Sequence, residues 1–162
     1  MAKKEKTLED FKQEYKKIQE KYSLPSFENL NEDFGIEKAS ELETDLLPRE
    51  IRKFIWDKIV NYLRLIEGLL NPVNAPMFIF SVIKLLGVEE KRRLSEIYKK
   101  LTKTEIKVIA LDLNFDEKKE AEFIKNSYGI WQEIKKDLVD IMEKVYNKWD
   151  DKIEATTKGY FG

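Results

Sequence analysis

The sequence predicts an all-α protein, a bundle of five to seven helices in a single domain. Apolar residues recur at steps of three and four along most of the chain, the spacing of one helical face. No segment has the alternating pattern of a strand, and there is no internal repeat. With 42% apolar and 38% charged residues, a chain of 162 residues is expected to form one hydrophobic core.

A peripheral N-terminal helix is predicted for residues 8–22. Its apolar positions are Leu8, Phe11, Tyr15, Ile18 and Tyr22. Leu24-Pro25 ends it, because the residue before a proline disfavours helical backbone. We expect this helix to dock on its own chain; the alternatives are exchange between two copies or binding to another chain as a helix in a groove.

A short second helix is predicted between Ser26, a favourable N-cap, and Gly35, a favourable C-cap. Residues 27–50 contain eight acidic and two basic residues, a local charge of −6. Within this stretch we expect residues 36–47 to form an acidic, irregular connector.

A long helix over residues 48–71 is predicted to occupy the middle of the bundle. Pro48 suits its first turn, and Asn71-Pro72 marks its end. At 100° per residue five polar positions fall on one narrow strip, and apolar side chains fill most of the remainder. The strip contains Lys53, Asp57, Asn61, Arg64 and Gly68. Such a helix needs neighbours on most sides.

The following helix, residues 75–86, is apolar nearly all round, and we expect Gly87 to cap it in the left-handed conformation. Together with residues 48–71 it forms a central apolar hairpin. Complete burial is the first expectation for so apolar a helix. In the alternative, one side of it, with Met77, Phe78 and Phe80, is a partner-binding face.

Two more helical segments follow this hairpin. In the first, Thr102 and Glu105 have capping-box spacing, which predicts a kink near residue 102. The second, residues 116–153, would be roughly 55 Å long if unbroken, so we expect a bend or break near Gly129. Residues 155–162 are expected to form a flexible tail.

The composition excludes many enzyme mechanisms. With no cysteine and no histidine, the chain has no disulfide, thiolate metal site, thiol nucleophile or imidazole base. Its six glycines fit neither a dinucleotide fingerprint nor a phosphate-binding loop. We therefore predict a protein without a cofactor that is not an enzyme.

Two pairs of carboxylates provide an enzymatic alternative. Glu117-x-x-Glu120 and Asp137-x-x-Asp140 have one-turn spacing, by which helices hold Mg²⁺ against a triphosphate. They resemble the ExxE and ExxD motifs of the all-α nucleotide pyrophosphatases, although the second pair departs from that pattern. This resemblance implies a Mg²⁺-dependent nucleotide hydrolase, provided that a break near Gly129 lets the two pairs face each other.

A basic helical stripe provides a second alternative. Arg93, Lys100 and Lys107 recur at steps of seven, with Lys103 between them. Such a stripe would bind RNA or DNA phosphates with an affinity that falls as salt rises. Glu96 and Glu105 dilute it, so a solvated helix face is the simpler interpretation.

The remaining observations favour a protein that binds other macromolecules. The first residues contain no apolar signal segment, and the longest apolar run is too short to span a membrane, so a cytoplasmic location is expected. The 25 lysines against five arginines are typical of thermophiles but equally of AT-rich genomes. Our first hypothesis is a non-enzymatic helical protein whose partner is another protein chain or a second copy of itself.

Overall fold

The computed structural model describes residues 6–160, with side chains described as far as Asp151. This part of the chain contains six α-helices and a 3₁₀ helix, and it contains no strand. The elements are α1 (Leu8–Tyr22), α2 (Phe27–Phe34), the 3₁₀ helix Ile36–Glu41, α3 (Leu47–Leu70), α4 (Met77–Ile83), α5 (Val88–Leu113) and α6 (Glu117–Tyr160). The predicted all-α bundle is therefore confirmed.

Helix α3 is the centre of the bundle. One stripe along it is completely buried: Ile51, Ile55, Ile59, Leu63 and Ile66. Helices α5 and α6 pack along α3, while α2 and the 3₁₀ helix contact it from the N-terminal part of the chain. The breadth of its apolar surface thus matches the number of its neighbours.

Local capping signals define the ends of the first two helices. Ser26 Oγ accepts a hydrogen bond from the Asn29 amide at 3.2 Å, as expected of an N-cap. Gly35 ends α2 with φ +62°, a left-handed conformation that glycine adopts without strain. Beyond Gly35, the first half of the acidic connector forms the 3₁₀ helix, because Ile36 and Ala39 are buried against the core.

Helix α1 docks on its own chain. Phe11 and Tyr15 have no exposed surface, and the Tyr15 hydroxyl donates a hydrogen bond to the Pro25 carbonyl at 2.6 Å. At its other end the Tyr22 hydroxyl donates to Glu117 Oε1 of α6, also at 2.6 Å. The first and last helices of the bundle are thereby joined.

Both interruptions expected in the long helices are absent. Helix α5 continues through Thr102, whose hydroxyl donates to the Tyr98 carbonyl at 2.9 Å instead of capping a new helix. Helix α6 continues through Gly129 and has 44 residues, roughly 66 Å at 1.5 Å per residue. Burial of residues on both sides of Gly129, such as Ile124 and Trp131, offsets the low helix propensity of this glycine.

The predicted flexible tail, residues 155–162, lies only partly within the described residues. The backbone of residues 155–160 belongs to α6. The side chains of these residues, together with residues 161–162, lie outside the described residues. None of the helices in the described part of the chain has a stretch long and apolar enough to cross a membrane.

Candidate functional site

The turn before α4 and one side of this helix expose large apolar side chains, which we call the α4 surface. The exposed fractions are 73% for Val73, 81% for Met77, 61% for Phe78 and 41% for Phe80. At 100° per residue, Met77 lies between Phe80 and Phe78 on the helix, so the three side chains share one side. Apolar side chains grouped in this way are typical of interaction sites.

The exposure follows from the position of α4. Within the helix only Val82 is buried, and Ile79 and Ile83 are partly buried against the core. Because α4 is apolar nearly all round, packing one side on the bundle leaves the other side in water. Complete burial of residues 75–86 was therefore a wrong expectation: α3 is central, but its hairpin partner lies at the periphery.

The bounds of α4 also differ from those expected. Pro76 is its N-cap, and the helix ends after seven residues at Ile83. Gly87 has extended backbone, with φ −78°, and precedes α5 as its N-cap. The reversal before α4 uses Asn74 at φ +58°, a conformation that asparagine tolerates better than most residues.

An aromatic contact attaches the α4 surface to helix α6. The ring of Phe78 packs against that of Trp149, with 5.9 Å between ring centroids and 44° between ring planes. Next to it, Lys148 Nζ donates to the Leu85 carbonyl at 3.5 Å. These contacts fix the orientation of α4 and leave Met77 free to contact another molecule.

The predicted basic stripe is partly neutralised within the chain. Arg93 donates to Asp137 at 2.6 Å and to Asp140 at 2.5 Å, and these carboxylates raise the pKa of its guanidinium. Lys100 Nζ lies 3.0 Å from a Glu133 carboxylate oxygen. Of the four predicted residues, Lys103 and Lys107 are exposed and make no ion pair with the described residues.

The four carboxylates of the hydrolase hypothesis face different partners. Glu117 accepts from Tyr22 and Lys21, and these hydrogen bonds lower the pKa of its carboxyl. Asp137 and Asp140 bind Arg93, whereas Glu120 is buried on the side facing α3.

The two carboxylate pairs also lie far apart. Glu120 and Asp137 are separated by roughly 25 Å along the unbroken α6. Within the described residues, no group of three acidic side chains is placed to hold a metal ion. The facing arrangement required for a Mg²⁺–triphosphate site is absent from this part of the chain.

A buried ion pair was missed by sequence reasoning. Arg52 Nε donates to Glu120 Oε2 at 2.6 Å, and Arg52 Nη2 donates to Asp112 Oδ1 at 2.6 Å. Glu120 is fully buried, with Arg49 Nε 3.6 Å from its other oxygen. Burial raises the pKa of this carboxyl, against the opposing effect of both guanidinium groups. The available signal was that Arg52 falls outside the polar strip of α3, on its apolar face.

Comparison with protein families, with curated proteins and with solved structures gives no match for this chain.

Proposed function

We propose that this protein is a non-enzymatic helical protein that binds another protein chain through the α4 surface. The observation that carries the proposal is the exposure of Met77 and Phe78, at 81% and 61%, on a helix whose opposite side is packed on the bundle. Burial of such side chains against a partner removes apolar area from water and so favours association.

The chemistry of the surface supports a protein partner. Phenylalanine and methionine are enriched in the buried centres of protein interfaces, and charged residues are depleted there. Residues 71–83 contain no Asp, Glu, Lys or Arg in a chain that is 38% charged overall. A flexible thioether between two aromatic rings also adapts to the shape of a partner.

The internal contacts of the other candidates favour this proposal over the alternatives. Two of the four residues of the basic stripe, Arg93 and Lys100, already pair with carboxylates of α6, which reduces the charge available for phosphates. The acidic pairs on α6 serve contacts between helices. A nucleic-acid-binding protein and a Mg²⁺-dependent hydrolase remain as outcomes of the test below.

The experiment compares capture of partners by three forms of the immobilised protein, quantified by mass spectrometry. The first is the unaltered chain, and the second carries Met77→Ser, Phe78→Ser and Phe80→Ser. The matched control carries Ile106→Ser, Ile109→Ser and Leu113→Ser. The control residues are exposed by 68%, 58% and 83%, so it removes similar apolar surface from α5.

We expect one set of proteins to bind the unaltered chain and the control and to be lost from the α4 variant. Light scattering during size-exclusion chromatography identifies the case in which the partner is a second copy. Equal capture by the α4 variant contradicts the proposal. Release of nucleic acid at high salt favours the basic stripe, and turnover of nucleoside triphosphates with Mg²⁺ favours the hydrolase.

A further inference from the structure

A pocket of about 280 Å³ opens between the C-terminal half of α5 and the N-terminal half of α6. Its apolar lining comes from Ala110 and Leu111 of α5 and from Phe123 and Ile130 of α6. No residue of the α4 surface contributes to it. The volume is near the lower end of the range for small-molecule sites, which suits an apolar body of one ring or a short chain.

Helices α5 and α6, which border the pocket, each pack more extensively on α3 than on each other. Next to it, Val108, Leu111 and Phe123 form a small apolar cluster separate from the main core, with Trp56 packed against it. The ring of Trp56 meets that of Phe123 edge-on, 6.5 Å between centroids. This cluster forms a fixed apolar wall behind the pocket.

A serine hydroxyl that makes no hydrogen bond within the described residues lines the pocket. Ser127 is only 1% exposed, and its hydroxyl makes no hydrogen bond with any described residue. By contrast, the hydroxyl of Thr104, which also lines the pocket, donates to the Lys100 carbonyl at 3.0 Å. The Ser127 hydroxyl can therefore donate a hydrogen bond to an oxygen atom of a molecule bound in the pocket.

The charges that line the pocket favour an anion. Lys107 and Lys119 contribute from opposite helices, and neither ammonium group has an ion-pair partner among residues 6–151. Glu122 is the one carboxylate in the described lining. Two cations against one anion attract a monoanion, while the four apolar residues of the described lining, Ala110, Leu111, Phe123 and Ile130, offer contacts to an apolar body.

We propose that the α5–α6 pocket binds a small carboxylic acid in its ionised form, with a single aromatic ring or a short alkyl chain. The apolar body lies against Leu111 and Phe123. The carboxylate faces Lys107 and Lys119, and the Ser127 hydroxyl donates to one of its oxygen atoms. The occupant is a free small molecule, since a pocket of this size admits little more than one side chain.

The test is a titration of the ¹⁵N-labelled protein, followed by amide chemical shifts, with benzoate and separately with benzyl alcohol. The two probes have nearly the same size, but only benzoate is charged. We expect saturable binding of benzoate with a dissociation constant on the order of 1 mM. The shifted amides should lie in residues 104–111 and 119–130. Benzyl alcohol should bind about fivefold to tenfold more weakly, since ion pairs with exposed lysines are individually weak.

Two pairs of variants locate the anion site. Lys107→Gln with Lys119→Gln should reduce benzoate affinity to that of benzyl alcohol. The control, Lys103→Gln with Lys125→Gln, removes two exposed lysines of the same helices that do not line the pocket, and it should bind benzoate unchanged. Ala110→Trp should fill the pocket and abolish binding of both probes without unfolding the protein, because residue 110 is exposed.

Three results would overturn the proposal. They are equal affinity for the two probes, equal loss in both lysine double variants, and shifts outside the two named segments. If the α4 variant captured the same proteins as the unaltered chain, the proposal for this pocket would be unaffected, because the two sites share no residue.

Discussion

Helices α3 and α4 are alike in sequence, since both are apolar over most of their circumference, but they lie in opposite environments. Five side chains along α3, from Ile51 to Ile66, are completely buried. In α4 only Val82 is buried, and Met77 is 81% exposed. The same apolar pattern therefore belongs to the centre of the core in one helix and to an open surface in the other.

The number of neighbouring helices explains the difference. Helix α3 has 24 residues and is long enough for α5 and α6 to pack beside it, with α2 adding to its cover. Helix α4 has seven residues and packs on α3. An apolar pattern specifies how much apolar surface a helix must bury to be stable. The fold of the chain decides whether neighbouring helices cover that surface. We propose that a partner binds the side of α4 that no neighbouring helix covers.

The largest effect is expected from the charged group buried beside α3. Arg52→Met leaves Glu120 buried without its main partner, which should lower the free energy of unfolding by about 3–5 kcal/mol. The measurement is urea denaturation. Arg64→Met is the control, because this arginine of the same helix pairs with Glu67 and Glu105 at the surface and should contribute below about 1 kcal/mol. Equal effects of both substitutions would contradict the buried environment of Arg52.

A core substitution in α3 should have the next largest effect. Ile59 has no exposed surface, so Ile59→Ala removes buried methyl groups, leaves a cavity and should destabilise the fold by about 2–5 kcal/mol. Denaturation midpoints at constant slope measure this change. A loss below about 1 kcal/mol would mean that α3 is not the packed centre of the bundle.

The cover of α3 by α2 should weaken in acid. Asp33 of α2 accepts hydrogen bonds from Gln132 and Lys135 of α6 at 2.6 and 2.7 Å. Burial acts to raise the pKa of Asp33, but these hydrogen bonds outweigh it, and the pKa lies below its ordinary value. The stabilisation is therefore complete above the unfolded-state pKa of about 4 and is lost as pH falls through the lower folded-state value.

Comparison of the unaltered chain with Asp33→Asn isolates this contribution. The difference between their urea midpoints should be largest at about pH 6 and should shrink progressively below about pH 4. A difference that stays constant or grows in acid would contradict the assignment.

The smallest effect is expected at the α4 surface. Met77→Ser should change the free energy of unfolding by less than about 0.5 kcal/mol, because an exposed side chain loses little burial in the folded state. The same urea experiment measures it. Destabilisation by about 2 kcal/mol or more would indicate that Met77 is buried in solution, within this chain or by a second copy. Dependence of the loss on protein concentration distinguishes those cases.

The sequence by itself determined the helical class, the central position of residues 48–71 and the helix ends set by local chemistry. Helical spacing and the caps at Ser26 and Gly35 depend on residues a few positions apart, so they are readable without tertiary contacts.

Only the tertiary structure decided the features that depend on residues distant in sequence. Packing on the bundle carries α6 through Gly129, and Arg93 of α5 reaches carboxylates of α6 that the motif pattern assigned to a metal. The pairing of Arg52 with Glu120 joins residues 68 positions apart. The exposure of α4 likewise depends on where its neighbours end. Apolar periodicity shows which face of a segment must be buried. Which elements cover that face is decided by the packing of the whole chain.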